Sequence, residues 1–175
     1  MKNIALIISC EHAVNTVPKD YQPYFETCRS LLYTHRGIDL GALTVAEHIQ
    51  SVFECHLVQA QVTRMLIDCN RSLTHPRCFS EISTLFSDAQ KTELIEQFYL
   101  PFREAVEHCI EQYIDQGQQV LHLSVHSFTP IWMDTIRDAD IGLLYDPSRE
   151  QEKKLAKQWR LQLKQDSSTF RIRLN

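Results

Sequence analysis

Val120-Leu-His-Leu-Ser-Val-His126-Ser-Phe-Thr-Pro130 is the stretch on which the reading of this chain turns. Residues 120–125 read as a short buried strand, punctuated by Gly117 before it and Pro130 after it. His126 falls where that strand ends, and Ser127 and Thr129 add polar atoms just beyond. Ligands of open α/β sheets bind outside the carboxyl ends of the strands. His126 is therefore a candidate ligand or catalyst; the alternative is a core histidine with both ring nitrogens satisfied. Ser9-Cys-Glu-His12-Ala-Val-Asn15 and Arg64-Met-Leu-Ile-Asp68-Cys-Asn70-Arg71 favour the first reading, because each also sets polar residues at the end of an apolar run.

Outward from there, Asn3–Ser9 is rich in Ile and Leu with little alternation, as expected of a central strand buried on both faces. A loop over Glu11–Asn15 follows, and Pro18 and Pro23 predict an irregular segment before a short helix at Tyr24–Leu32. Thr34–Asp39 is a turn into a second helix whose Leu43, Ala46, Ile49, Val52 and Phe53 share a face. Asp39 stands at its start, where a carboxylate suits capping. His56–Val62 and Met65–Ile67 predict strands, and Ser72–Leu85 a long loop. Ser87 and Gln90 form a capping box. Leu94, Ile95, Phe98, Phe102, Val106, Ile110 and Tyr113 then recur at helical spacing, interrupted at Pro101, and are assigned to the core. Past the strand at 119–125, Ile131–Ala139 reads as a loop, Ile141–Tyr145 as a strand, Glu150–Lys164 as a helix with a solvated charged side, and Thr169–Leu174 as a last strand. Strands alternating with helices predict an α/β fold, a mainly parallel (mixed) sheet with helices on both faces.

The 175 residues suit one domain with a real core, and 43% apolar content is ordinary for a globular protein. The net charge of −4 and the lack of a basic stripe argue against nucleic acid as a partner. The early apolar run, Ile4 to Ile8, is too short for a membrane span or a signal-peptide core, so a cytoplasmic protein is expected. The six cysteines include no C-x-x-C pair and read as free thiols. Cys10 and Cys69 adjoin the motifs, and small buried apolar residues are the favoured reading for both. With no G-x-G-x-x-G and no P-loop, a nucleotide cofactor has no support.

A hydrolytic zinc site takes three protein ligands from His and Asp/Glu and leaves a position for water. His12 and His126 end two different strands, so the fold can bring them together. Glu11 is adjacent to His12, but neighbours in extended chain point apart. Asp39 is the better third ligand, with Asn15 as a neutral substitute. Arg64 and Arg71 add forks that bind a carboxylate in bidentate fashion. Asp68 can orient a neighbouring arginine or a metal-bound histidine. The alternative for Arg64–Arg71 is a surface turn with a local ion pair.

Ser9-Cys-Glu-His-Ala-x-Asn15, His35-x-Gly-x-Asp-x-Gly-Ala42, Arg64…Asp68-x-Asn-Arg71, Leu123-Ser-Val-His-Ser-Phe-Thr-Pro130 and Asp140-Ile-Gly-Leu-Leu-Tyr-Asp-Pro147 together resemble the N-formylglutamate amidohydrolase family. The motifs keep their order across nearly the whole chain. The resemblance implies a zinc-carboxypeptidase-like fold, related to the aspartoacylase-type deacylases, and zinc-dependent hydrolysis of an N-acyl acidic amino acid. N-formylglutamate, cleaved to formate and glutamate as in histidine degradation, is the implied substrate. By position, the resemblance makes His12, Asp39 and His126 the metal ligands. Asn70 and Arg71 match the pair that holds the substrate carboxylate, and Arg64 matches the arginine that polarises the scissile carbonyl. Ser127 joins the candidate substrate-binding residues.

The wider group also carries a late glutamate as general base, and this chain has no glutamate after Glu152. The expectation is a single amidohydrolase-like domain over residues 1–175, C-terminally incomplete, that binds metal, turns over poorly and self-associates through an exposed edge into a homo-oligomer. Glu11, the remaining carboxylate beside a proposed ligand, is the substitute base. The alternative reading is a non-catalytic relative that binds an acidic metabolite or a metal.

Overall fold

The structure, a computed structural model, describes residues 4–132, 134–166 and 169–175. The chain divides into two compact units, one ending at Phe128 and one running Thr129–Asn175.

The first unit is built on a parallel three-stranded sheet in the order β2-β1-β3: β1 is Ile4–Cys10, β2 His56–Gln59 and β3 Gln119–Ser124. β1 is central, as its Ile-rich run predicts, and Ile7, Ile8 and Cys10 have no exposed surface. The first residue expected of that strand, Asn3, lies outside the described residues. Leu57 and Val58 are chain neighbours and so point to opposite sides of the sheet. Leu57 joins Ile8, Cys10, Leu123 and Val125 under Ala42 and Ala46 of helix α1 (Ala42–Phe53). Val58 joins Phe102, Val106 and Ile110 of helix α3 (Leu100–Asp115). Helices therefore cover both faces, as expected of an α/β fold.

Several local expectations need correction. β3 is not buried: it pairs only with β1 among the described strands, and its residues are half-buried or exposed. Met65–Ile67 is a turn, not a strand, whose apolar side chains still enter the core; burial without alternation cannot distinguish the two. The strand expected at His56–Val62 stops at Gln59. Lys19–Tyr33 is a kinked 3₁₀ segment that takes Pro23 inside it, longer and tighter than the helix expected at 24–32. Val52 and Phe53 of α1 are exposed rather than packed. The Ser87–Gln90 capping box opens α2 (Asp88–Leu94) as read. At Pro101 the helix is interrupted by a π segment, Ile95–Tyr99, just before α3. Proline has no N–H for the ladder, and a wide turn absorbs the lost bond.

In the second unit, the expected loop at 131–139 contains a small antiparallel pair, β4 (Ile131–Trp132) and β5 (Thr135–Ile136), with Asp134 in the left-handed region at φ 61°; Met133 lies outside the described residues. Two-residue strands are too short to show periodicity. β6 (Ile141–Leu143) and β7 (Ile172–Leu174) pair in parallel, and helix α4 (Glu150–Asp166) lies between them in sequence and contacts β7. Arg171 Nη2 bonds Asp140 Oδ1 at 2.8 Å across that pair.

Candidate active site

The carboxyl end of β1 delivers Glu11 and His12. The ladder runs on past the strand ends, with Ala60 N donating to the Cys10 carbonyl at 3.0 Å and Val125 N to the Ser9 carbonyl at 2.8 Å, so His126 leaves β3 beside His12. Asp39 arrives from the turn at 34–39 and is tied to β1 by its own N–H, which donates to the His12 carbonyl at 3.1 Å. That turn packs so tightly that a Cβ on Gly37 would lie 2.5 Å from the Leu32 carbonyl oxygen. Asp39 does not cap α1. The N-cap is Gly41, at φ 79°, with no side-chain cap, and the Asp39 carboxylate turns to the histidines instead.

The three expected metal ligands come together. One ligand atom from each of His12, Asp39 and His126 lies within 4.8 Å of the others, and the set could hold a metal ion. Asp39 Oδ2 is 3.3 Å from His12 Nδ1 and 2.8 Å from His126 Nδ1. The far nitrogens are also engaged. His12 Nε2 lies 2.7 Å from Asp68 Oδ1; a carboxylate accepts, so Nε2 donates, and a neutral ring then has its lone pair on Nδ1. His126 Nε2 lies 2.9 Å from Ser124 Oγ, whose hydroxyl donates to Glu11 Oε2 at 2.7 Å, so His126 also donates from Nε2. Both Nδ1 atoms thus converge on one carboxylate oxygen, to which they donate while no metal is bound, and once they give up that proton the three groups form a donor set that suits a divalent cation.

Without a metal, the carboxylates around His12 favour its protonated ring, so a metal would take the place of a proton there. Burial works to lower the pKa of His12, but the carboxylates of Asp39 and Asp68 outweigh it and the pKa is raised. Burial pushes Asp39 and Asp68 up, yet hydrogen bonds from the histidines leave both below the ordinary carboxylate range, with Arg64 assisting at Asp68. Burial, with nearby carboxylates, pushes Cys10 and Cys69 up to about 12, which fits their reading as inert packing residues.

The other expected site residues surround this group. Arg64 Nη2 donates to Asp68 Oδ2 at 3.0 Å, and its Nη1 is 3.5 Å from Asp39 Oδ1. Arg71 is looser: Nε is 3.9 Å from Asp68 Oδ2 and the side chain is 38% exposed. Its carbonyl accepts from Tyr99 Oη at 2.8 Å. Asn70 is exposed, with its backbone N–H on Asp68 Oδ1 at 3.0 Å. Ser127 N donates to Asp39 Oδ2 at 3.3 Å. Glu11 is buried and has both oxygens occupied, Oε1 by the Ser9 hydroxyl at 2.6 Å and Oε2 by Ser124.

His35, Ser9, His122 and Ser124 were not among the expected site residues. His35 Nδ1 lies 3.2 Å from Asp39 Oδ1, and its place in the His35-x-Gly-x-Asp motif was the available signal. His122, Ser124 and His126 occupy alternate positions, so they share one side of the strand line; that period of two could have marked them.

The sequence matches the model of the N-formylglutamate amidohydrolase family over residues 4–175. The chain belongs to that family. It is therefore an amidohydrolase acting on a small molecule, by N-formylglutamate amidohydrolase-type hydrolysis. The crystal structure of gene product Atu2144 from Agrobacterium tumefaciens is similar at a TM-score of 0.80 and 27% sequence identity, over 99% of this chain and 69% of that one. No curated protein matches. Among the described residues, no helix of this amidohydrolase is long and apolar enough to cross a membrane.

Proposed function

We propose that this protein hydrolyses the amide bond of an N-acyl acidic amino acid, N-formylglutamate above all, to formate and glutamate, with zinc held by His12, Asp39 and His126. The family match supports the reaction class. The observation that carries the metal is the convergence of the two Nδ1 atoms on Asp39 Oδ2 while both Nε2 atoms donate elsewhere. Zinc on such a set polarises a carbonyl and lowers the pKa of water.

The chain's own residues do the rest. Arg64, fixed by Asp68 and Asp39, steadies negative charge developing on the formyl oxygen. Arg71, weakly paired and partly exposed, offers its fork to a substrate carboxylate, with Asn70 and Ser127 as neighbouring polar contacts. Asp68 fixes the tautomer of His12. We assign Glu11 to holding His126 rather than to accepting a proton from water, because both its oxygens are engaged. The family match runs through both compact units, which supports reading 1–175 as one amidohydrolase-like domain. The free cysteines suit the cytoplasm.

Formate release from N-formylglutamate by zinc-loaded protein is the test. Turnover that stops on chelation and returns with zinc is expected. Undiminished turnover by fully chelated protein would refute the metal assignment.

A further inference from the structure

A line of polar side chains leads away from the metal group along the sheet. His122 Nε2 is 2.8 Å from Ser9 Oγ, Ser9 Oγ is 2.6 Å from Glu11 Oε1, and Glu11 Oε2 is 2.7 Å from Ser124 Oγ and 3.3 Å from His126 Nε2. Ser9 has no exposed surface and Glu11 is 6% exposed. Their polar atoms therefore depend on one another for hydrogen bonds.

The line has a direction. A hydroxyl carries one hydrogen, and that of Ser9 goes to Glu11, so Ser9 Oγ must accept from His122 Nε2. On the other side, Ser124 gives its hydrogen to Glu11 and accepts from His126 Nε2. Every proton points toward the Glu11 carboxylate. Ser9 pairs in register with Ser124, so the two hydroxyls are set on either side of that carboxylate by the β1–β3 ladder itself.

We infer that His122 is a positioning residue of the metal centre, donating through Ser9 to aim Glu11 so that His126 keeps its hydrogen on Nε2 and presents Nδ1 to a metal once that nitrogen gives up the proton it shares with Asp39. The inference rests on the proposed metal role of His126. Outer partners of metal-bound histidines fix tautomer and ring orientation in this way. Without the donor at 122, Ser9 Oγ loses its incoming bond and can turn its hydrogen away. One Glu11 oxygen is then free to swing, and His126 follows.

The test is metal affinity, read by competition with a chelator, in His122→Phe, His122→Gln and Ser9→Ala. Glutamine keeps an N–H donor near the position of Nε2; phenylalanine keeps the ring and loses the donor. His122→Phe should bind zinc about tenfold more weakly, with His122→Gln restored toward the wild type. The double variant His122→Phe/Ser9→Ala should lose little more than either single change, because both break one line. Nitrogen NMR of the unmutated, zinc-loaded protein gives an arm that needs no variant: His122 and His126 should both carry their proton on Nε2. Equal affinity in wild type and His122→Phe, no rescue by glutamine, additive losses, or the opposite tautomer at His122 each overturns the inference while leaving the metal site standing. A wild-type protein that takes up no metal overturns both.

Discussion

Two histidines approach one carboxylate from two strands, and they are held in different ways. His12 leaves the central strand, is 2% exposed, and is fixed by a carboxylate in direct contact, Asp68. His126 leaves the outer strand, is 31% exposed, and reaches its own carboxylate chiefly through a serine hydroxyl. A buried ring with a charged partner is pre-aimed by packing and Coulomb attraction together. A ring at a half-exposed strand end shares Asp39 but takes its second hold from a serine hydroxyl and a more distant Glu11. The site thus joins a rigid half to a half adjustable by its polar neighbours.

The largest test of that contrast removes a ligand. His12→Ala and His126→Ala should each abolish zinc binding, measured by elemental analysis of protein prepared without chelator, since a remaining pair of ligands falls short of the usual zinc set. Stoichiometric zinc in His126→Ala would show that the outer histidine is no ligand. Next comes Asp68→Asn, which keeps the shape but loses the charge; zinc affinity should fall by about 10–100-fold. Glu11→Gln should cost less, because its hold on His126 is relayed. If the two losses are reversed, the rigid half is the wrong one.

Arg71→Lys bears on substrate rather than metal. An ammonium cannot reproduce the planar fork, and binding of a glutamate-like ligand should weaken by about 1.5 kcal/mol, the low end for a charge-assisted hydrogen bond at a partly exposed site. Calorimetry on zinc-loaded protein reads it, and unchanged affinity would place Arg71 outside the pocket. The smallest effect is on pH dependence. The raised pKa of His12 means a proton competes with metal there, so zinc affinity should start to fall at a higher pH than an ordinary histidine would give. In chelated protein the signs oppose. His12 adds stability that is present below its unfolded pKa and lost as pH rises through its folded pKa. Asp39 and Asp68 add stability present above the unfolded carboxylate pKa and lost as pH falls through their lowered ones. Thermal melts of chelated protein should therefore decline on both sides of an intermediate maximum. A melt temperature that still rises above neutral pH would contradict the shift at His12.

The strand-end histidines were legible because β1 is a continuous apolar run and polar residues follow it directly. Asp39 was legible as a neighbour of a helix start, but for the wrong local reason: capping was expected, and Gly41 does that work at a positive φ. The turn at 65–67 was misread because a buried turn and a buried strand look alike over three apolar residues. Nothing local distinguishes Ser9 and His122 as partners. They stand 113 residues apart in sequence and meet only once the β1–β3 register is fixed.

The π segment Ile95–Tyr99 sets the phase of the long helical stretch around it. The apolar residues Leu94, Phe98, Phe102, Val106 and Ile110 follow one another every fourth position. On an ideal α-helix each such step overshoots a full turn by about 40°, so the stripe would wander roughly 160° around the axis from first to last. A wide turn winds back about one residue's worth, near 100°, and keeps the stripe facing the sheet. It also sets the azimuth of Tyr99, whose hydroxyl holds the Arg71 carbonyl. Deleting a single residue between Ile95 and Tyr99 would remove the wide turn and leave Pro101 inside a regular helix, where its ring clashes and the ladder stays open. The stripe would slip off the core, and the loop carrying Arg71 would lose its anchor.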